Sequence, residues 1–474
     1  MKFCEKTFVS WFNKDIDIAM RKIEKFDKTI VVCFIECMID KKLLANNIIA
    51  PILRLKKSVS TQKIFDNLST YNATIVEDKN QVVSNVLSGN VILFVEGAQN
   101  AISCNVADCK MRSVAEPPTS QVTKGPREGF VEDVNVNLSL IRKRLKSPNL
   151  AVKNIVVGKQ TQTKIAIVYL ADIADVKLAK EVENKLVNFE IDGIIDSYYI
   201  TTILEDGKLK LLRRVGNSEK PDVVASRLLE GRIAIVVDGS PIVLTIPFLL
   251  IEDLQSPEDY YQIETRTSFL RILRLVGLVL GVLLPGFYVA LQSYQYKVLP
   301  INFLVTLLSS IEGISLPPLL EILFVLFLFD ILSEASARMP KILGMALSII
   351  GALVLGETTV QAGIISPPSI VVVAISSIML FIIPDDVPQI ALLRILFTIV
   401  GGVAGFYGML MAFVMASTYL VSADGYGVPL LSPYAPTSKH DKQDAILKKS
   451  LLALKKRPET IAKKNKTRLG DGDD

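Results

Sequence analysis

The chain has 474 residues, half of them hydrophobic, with a formal charge of +5 and a mean hydropathy of +0.40. That is too long for one core and too apolar for an ordinary soluble protein, so part of it is expected in lipid. The basic residues are neither gathered on a groove-reading helix nor interleaved with aromatics, which argues against nucleic acid as a partner. The single histidine, His440, lies in a basic tail, no CxxC is present and no glycine-rich phosphate loop occurs. An enzyme, a metal site and a cofactor are therefore not expected. The five cysteines, Cys4, Cys33, Cys37, Cys104 and Cys109, read as buried free thiols.

The first 20 residues contain no continuous apolar run and no small-residue cleavage site, so the first half is expected to remain cytosolic. Residues 1–115 read as a first α/β lobe. An amphipathic stretch, DIDIAMRKIEKF, leads to a β-rich run, TIVVCFIECMID, and then to a helical one, KKLLANNIIAPIL.

This grammar recurs. Ile30, Val32, Phe34, Ile35, Asp40, Lys42 and Leu43 match Ile165, Ile167, Tyr169, Leu170, Asp175, Lys177 and Leu178 at identical spacing, and Leu87–Gly97 aligns with Leu229–Gly239. Each copy predicts a helix, a glycine cap, a buried strand, an acidic-Gly turn and a further strand. Residues 131–255 are thus a second, related lobe, and the pair reads as a platform more than as a ligand clasp. Between the lobes, residues 116–130 form a Pro/Gly-punctuated linker expected to be extended. It runs into a helix over Val131–Leu145 ending in Arg142-Lys143-Arg144, a basic turn that suits the helix dipole or a subunit contact.

Residues 256–268 form an interfacial junction. Ser256, Pro257, Glu258, Asp259, Tyr260 and Tyr261 combine a stiff turn with an aromatic pair, and Arg266, Arg271 and Arg274 read as a cytoplasmic flank. The junction serves as an anchor for the first span or as an element that transmits motion of the lobes.

Residues 269–421 are expected to be a polytopic helical membrane domain with about four to five spans plus re-entrant pieces. The first span covers Phe269–Leu291, interrupted by Gly277, Gly281 and Pro285, and Val298–Pro318 reads as a half-helix. The next span, Leu319–Leu332, begins near Glu321, and Asp330, Glu334 and Arg338 follow at i, i+4, i+8 on one face. Ionisable groups at membrane depth are costly, which makes Glu321 and Asp330 functional candidates. Short apolar runs at Ile342–Leu355 and Ser369–Ile383 flank a polar, proline-terminated break. Its residues Glu357, Thr358, Thr359, Val360 and Gln361 are the candidates for a pore or ion pathway. Arg338 and Lys341 mark one side of the bilayer and Asp385-Asp386 the other. The last span, Ile390 to about Leu420, carries Gly401, Gly402, Gly405 and Gly408 for close packing. Residues 422–474 read as a basic cytosolic tail, solvated by default, with contact to anionic headgroups as the alternative.

Three blocks, KGPREGFVEDVNVNLSLIRKRLKSPNL, DGSPIVLTIPFLLIEDLQSPEDYY and SEASARMPKILGMALSIIGALVLGETTVQAGIISPP, resemble the signature blocks of the GerA family, the A subunits of nutrient germinant receptors in bacterial endospores. Ile311 and Ser333 stand where the family pattern has arginine, and Asp330 where it has glutamate. The resemblance implies a multi-pass protein of the inner spore membrane that acts with germinant receptor B and C subunits and assembles as a homo-oligomer around an axis. It further implies coupling of nutrient sensing to ion release, as a nutrient-gated cation channel. A secondary transporter of small solutes and a non-conducting membrane scaffold are the alternatives.

Overall fold

The computed structural model describes residues 8–12, 16–26, 28–55, 59–70, 72–106, 122–206, 213–338, 351, 354–382, 387–438 and 440–469. Cys4, Cys109, linker residues 116–121, Lys341, most of the run 342–353, Asp385 and Asp386 lie outside the described residues. The chain divides into two compact units: Met1–Leu249 with Asp424–Val428 and Leu451–Asp474, and Leu250–Ala423 with Pro429–Ser450.

The first unit holds the two lobes. In the first, β1 (Ile18–Lys25), β2 (Lys28–Ile35), β3 (Ala73–Val76), β4 (Asn90–Val95) and β5 (Ala101–Asn105) form a sheet in the order β1-β2-β4-β5-β3. In the second, β6 (Leu150–Val157), β7 (Thr163–Leu170), β8 (Gly216–Ser218), β9 (Ile233–Val237) and β10 (Val243–Ile246) repeat that order as β6-β7-β9-β10-β8. The duplication read from residue spacing is therefore a duplication of topology. The matched aspartates do the same job in both copies. Asp40 accepts the backbone N–H of Lys42 at 2.6 Å and Asp175 that of Lys177 at 2.9 Å, each capping the helix after the second strand. Gly89 and Gly231 both take positive φ, +88° and +100°, where an L side chain would be strained.

The described ladders are antiparallel in both sheets, a feature that the alternation of helix and strand signals did not reveal. The amphipathic stretch at the start forms β1. Each central strand is buried on both faces. In β9, Ile233, Ile235 and Val237 point into one cluster and Ala234 and Val236 into the other, which explains its unbroken apolar run.

Helices α1 (Lys79–Leu87), α2 (Val134–Arg144), α3 (Val176–Val187) and α4 (Pro221–Leu229) cover the sheets. Asp133 caps α2, so the helix starts three residues later than the apolar pattern suggests. Its basic end is structural. Arg142 is buried against Asp17 of the first lobe, while Lys143 and Arg144 hold Glu128 at 2.9 and 2.8 Å. The described part of the linker is strapped down by Lys220 Nζ on the Pro126 carbonyl and by the Asn137 side chain on Val131. Cys33 and Cys104 are buried and Cys37 is half-buried. Burial pushes the Cys37 and Cys104 thiols up to about 12, which leaves them inert.

The tail is not the solvated segment expected from its composition. Ala462 is buried in the core of the second lobe beside Leu228, Arg457 Nε donates to the Leu229 carbonyl at 2.8 Å, and Lys464 Nζ donates to that of Ala171 at 2.8 Å. The apolar residues Leu454, Ile461 and Ala462, spaced among the lysines, supply the burial that charge counting overlooks.

The second unit is helical: α5 (Glu264–Ser293), α6 (Ile301–Ile311), α7 (Pro318–Arg338), α8 (Pro367–Phe381) and α9 (Val387–Ser422). Among the described residues two helical stretches are long and apolar enough to cross a membrane, Glu264–Ser293 and Ile390–Ser422, with hydropathies of 2.1 and 1.9; α6 and α8 are apolar but shorter.

Pro285 sits inside α5, where it removes the N–H that would bond the Gly281 carbonyl. Ser376 Oγ of α8 donates to that carbonyl at 2.6 Å, so the break is repaired from a neighbouring helix. Helix α9 has its own break at Gly405 (φ 62°, ψ −156°), and the Tyr294 hydroxyl donates to the carbonyls of Gly402 and Val403 at 3.2 and 2.8 Å. Gly401 lies against the Gly286 backbone, a contact that leaves no room for a methyl group.

Candidate functional site

Glu321 lies in the first turn of α7 yet is 1% exposed. Its Oε1 accepts both the backbone N–H and the hydroxyl of Ser366 at 2.7 Å, and the Ser366 hydroxyl lies 3.0 Å from that of Ser369. Ser366 is the N-cap of α8, followed by two prolines that need no N–H partner. The carboxylate thus occupies the position where a helix presents partial positive charge, and this offsets part of the cost of its burial. Tyr288 of α5 packs on the same apolar cluster as Ile322 and Ile365.

Asp330, Glu334 and Arg338 do not act as one array. Asp330 Oδ1 accepts from Arg394 Nη2 at 2.7 Å, and Arg394 Nη1 donates to Ser377 Oγ at 3.0 Å. One buried guanidinium therefore ties α7, α8 and α9 together. Among the described residues Glu334 and Arg338 pair with each other on the exposed surface of α7, an arrangement worth about a few tenths of a kcal/mol. Asp330, unlike Glu334 and Arg338 on the same helix, has its partner on another helix.

The apolar run before the polar segment lies mostly outside the described residues. Val354–Thr358 forms a π-turn, Thr359–Gln361 a helical turn, and the chain reverses at Gly363 before α8. Glu357, Thr358 and Gln361 are exposed, Thr359 and Val360 half-buried, and Gln361 Nε2 donates to Glu357 Oε1 at 3.2 Å. Among the described residues no group of three or more His, Cys, Asp or Glu side chains could hold a metal ion.

The junction is a dense polar cluster of the second unit. Pro257–Tyr261 forms a 3-10 turn, and Asp259 Oδ2 accepts the Ser256 N–H at 3.1 Å. Asp259 is 1% exposed and also accepts Arg271 Nε at 3.0 Å and Arg274 Nη1 and Nη2 at 2.8 and 3.1 Å. Arg271 Nη1 reaches on to the Asp444 carboxylate at 3.0 Å and to the carbonyls of Asp444 and Ala445 at 3.1 and 2.7 Å. The Tyr260 hydroxyl donates to Asp444 Oδ2 at 3.1 Å, and Lys448 Nζ donates to the Asp259 carbonyl at 2.6 Å. Arg271 and Lys448 both lie over the Tyr260 ring. Arg271 and Arg274 are thus not a flank facing headgroups, as their spacing suggested, because their charge is met inside the protein; Arg266 remains exposed. Glu258 accepts from Gln262 at 3.3 Å, and Tyr261 is exposed.

Between the two lobes of the first unit a groove of about 210 Å³ is lined by Asn80, Val83, Ser84, Leu87, Lys146 and Pro148. It is smaller than the usual small-molecule site.

The sequence model described as "Bacillus/Clostridium GerA spore germination protein" matches residues 6–460. The chain belongs to the GerA family. It is 35% identical over 465 residues to spore germination protein KA of Bacillus subtilis (strain 168), covering 97% of this chain and 86% of that protein. It is 29% identical over 439 residues to the uncharacterized membrane protein YfkQ of the same strain, covering 92% and 86%. The crystal structure of the N-terminal domain of the A subunit of the Bacillus megaterium spore germinant receptor GerK3 matches 51% of this chain and 91% of that one, at 27% identity and a TM-score of 0.39.

Sequence reasoning missed three residues that organise these sites in this GerA-family chain. Arg394 could have been found as a lone arginine inside a long apolar helix. Asp444 and Lys448 carry no local signal, since their partners lie more than 170 residues earlier in the chain.

Proposed function

We propose that this GerA-family chain is the A subunit of a nutrient germinant receptor, a multi-pass protein of the inner spore membrane. It acts with B and C subunits and further copies of itself, and it couples nutrient sensing to a cation pathway. The observation that carries the membrane reading is the inverted polarity of the second unit. Glu321, Ser366, Ser369, Ser376, Arg394 and Thr398 are all buried, while Phe269, Ile301, Ile378, Leu392 and Val403 are exposed. Water would penalise so large an apolar surface, whereas hydrocarbon favours it and drives polar side chains inward to pair. On that reading α6 and α8 are partial or re-entrant pieces beside the two longer stretches.

The break at Glu357–Gln361 is the segment assigned to the cation pathway. It is a π-turn running into a short helical turn, all its side chains but that of Val360 are polar, and Glu321 accepts the N–H at the start of the helix that follows it. The Asp259 cluster is the element assigned to transmission, because it binds the start of α5 to both the preceding turn and the C-terminal segment.

The test is ion flux from liposomes carrying the full chain, alone and with its partner subunits, comparing wild type with Thr358→Leu and Val360→Phe. Altered conductance or a constitutive leak is expected. Unchanged flux in a correctly inserted protein would remove the segment from the pathway and leave the scaffold role, with conduction in a partner.

A further inference from the structure

We propose that Glu321, Ser366, Ser369 and Tyr288 form a binding site for a small monovalent cation, held by oxygen atoms alone. All four residues belong to the second unit. The site stands on the packing of α5, α7 and the start of α8, and it needs neither conduction nor the assignment of Glu357–Gln361 to a pathway.

The carboxylate calls for a ligand. Glu321 is 1% exposed, and the charged groups further along its helix are engaged elsewhere, Asp330 with Arg394 and Glu334 with Arg338. Among the described residues no basic side chain pairs with Glu321. Both of its hydrogen bonds, from the N–H and the hydroxyl of Ser366, end on Oε1, and Oε2 has no donor among the described residues. The helix N-terminus at Ser366 offsets only part of a buried charge, and the apolar side chains of Val289, Ile322, Val325 and Ile365 around it offset none.

Three hydroxyls complete the site. Ser366 and Ser369 are fully buried with their oxygens 3.0 Å apart. The Tyr288 hydroxyl, brought in from α5, is buried beside both serines and Glu321 without meeting hydrogen-bond geometry. A hydroxyl has one proton and two lone pairs, so each of the three can donate to a neighbour and still offer an oxygen to a cation.

One carboxylate among neutral hydroxyls balances a single positive charge. Oxygen-only donors favour a hard cation, whereas a divalent ion seeks more carboxylates, and no group of three acidic, histidine or cysteine side chains is gathered among the described residues. The close approach of the two serine oxygens suits a compact ion, which makes sodium the probe. The bound ion ties α5 to α7 and to the start of α8, the helix that follows Glu357–Gln361.

The test is thermal unfolding of the full chain in lipid nanodiscs, at fixed pH and ionic strength, in sodium or choline chloride. Binding of radioactive sodium is measured on the same samples. Saturable sodium binding and a higher unfolding midpoint in sodium than in choline are expected. Glu321→Gln keeps the shape of the side chain, removes its charge and should abolish both effects. Tyr288→Phe and Ser369→Ala should each weaken sodium binding about ten-fold; they carry the test where Glu321→Gln fails to fold, and unchanged affinity in both overturns the inference. A purely structural role would lower the midpoint equally in sodium and in choline, and such parallel shifts also overturn it. Sodium binding that survives Glu321→Gln puts the ion elsewhere, and a wild type indifferent to sodium but stabilised by acid makes the occupant a proton; either result overturns the inference. Ion flux in Thr358→Leu and Val360→Phe bears on the pathway alone, so each reading can fail without the other.

Discussion

The two units solve the same problem in opposite ways. In the first, Ile233, Ile235 and Val237 on one face of β9 and Ala234 and Val236 on the other build apolar cores, with a buried charge such as Arg142 paired to Asp17. In the second, the buried positions that tie elements together are polar: Asp259 with Arg271, Glu321 with Ser366, Arg394 with Asp330, and Ser376 with the Gly281 carbonyl. Apolar burial holds the first unit together; on the proposed membrane reading, apolar side chains of the second gain less from facing inward and specificity falls more to hydrogen bonds.

That contrast predicts which deletions are most damaging. In the second unit, Arg271→Met should be the largest, costing about 3–5 kcal/mol, because it removes a bond to the buried Asp259 and strips Asp444 of its guanidinium. Thermal unfolding of the full chain in lipid nanodiscs measures it. A loss under about 1 kcal/mol would show that Arg274 and Lys448 suffice and that the cluster is not a lock.

The first unit should answer instead to volume. Leu93→Ala, at a fully buried position in β4, removes side-chain atoms packed between sheet and helices and should cost about 2–5 kcal/mol. Phe269→Ala, outward-facing on α5, should cost little in the same assay. If Phe269→Ala proves as damaging as Leu93→Ala, the distinction between the units fails.

A finer version isolates one hydrogen bond. Ser376→Ala leaves the Gly281 carbonyl buried without its donor and should cost about 1–3 kcal/mol. Pro285→Ala supplies the N–H that a regular helix would point at that carbonyl, so the double variant should recover most of the loss. Strictly additive losses in the cycle would mean that the serine acts by packing alone.

The residues explain how much was legible beforehand. The duplicated lobes could be read because β2 and β7, with Asp40 and Asp175 behind them, keep one spacing, and local geometry dictates those residues. Pro285 and the polar segment Glu357–Gln361 could be picked out because proline, glycine and polar residues interrupt apolar runs. What repairs the breaks could not, since Ser376 is an ordinary serine until α8 packs on α5. The tail was misread for a related reason: lysine content announces solvent, while Ala462, Leu454 and the inward Lys448 act through contacts that no local pattern encodes.

The smallest predicted effect concerns charge at the edge of the first unit. Hydrogen bonding from Lys143, opposed by partial burial and aided by Arg144, holds the Glu128 carboxyl below the usual carboxylate range. A folded-state value below the unfolded one means that the pair stabilises the fold above the unfolded value. That contribution is lost as pH falls through the folded value. Glu128→Gln should therefore loosen the end of α2 at neutral pH and make no difference in acid, where wild type has lost the same charge. Hydrogen exchange along Val134–Arg144 in the full chain, followed from neutral to acid pH, measures this directly. The two proteins should converge as pH falls, and parallel profiles across the whole range would show that Glu128 acts through packing and not through its charge.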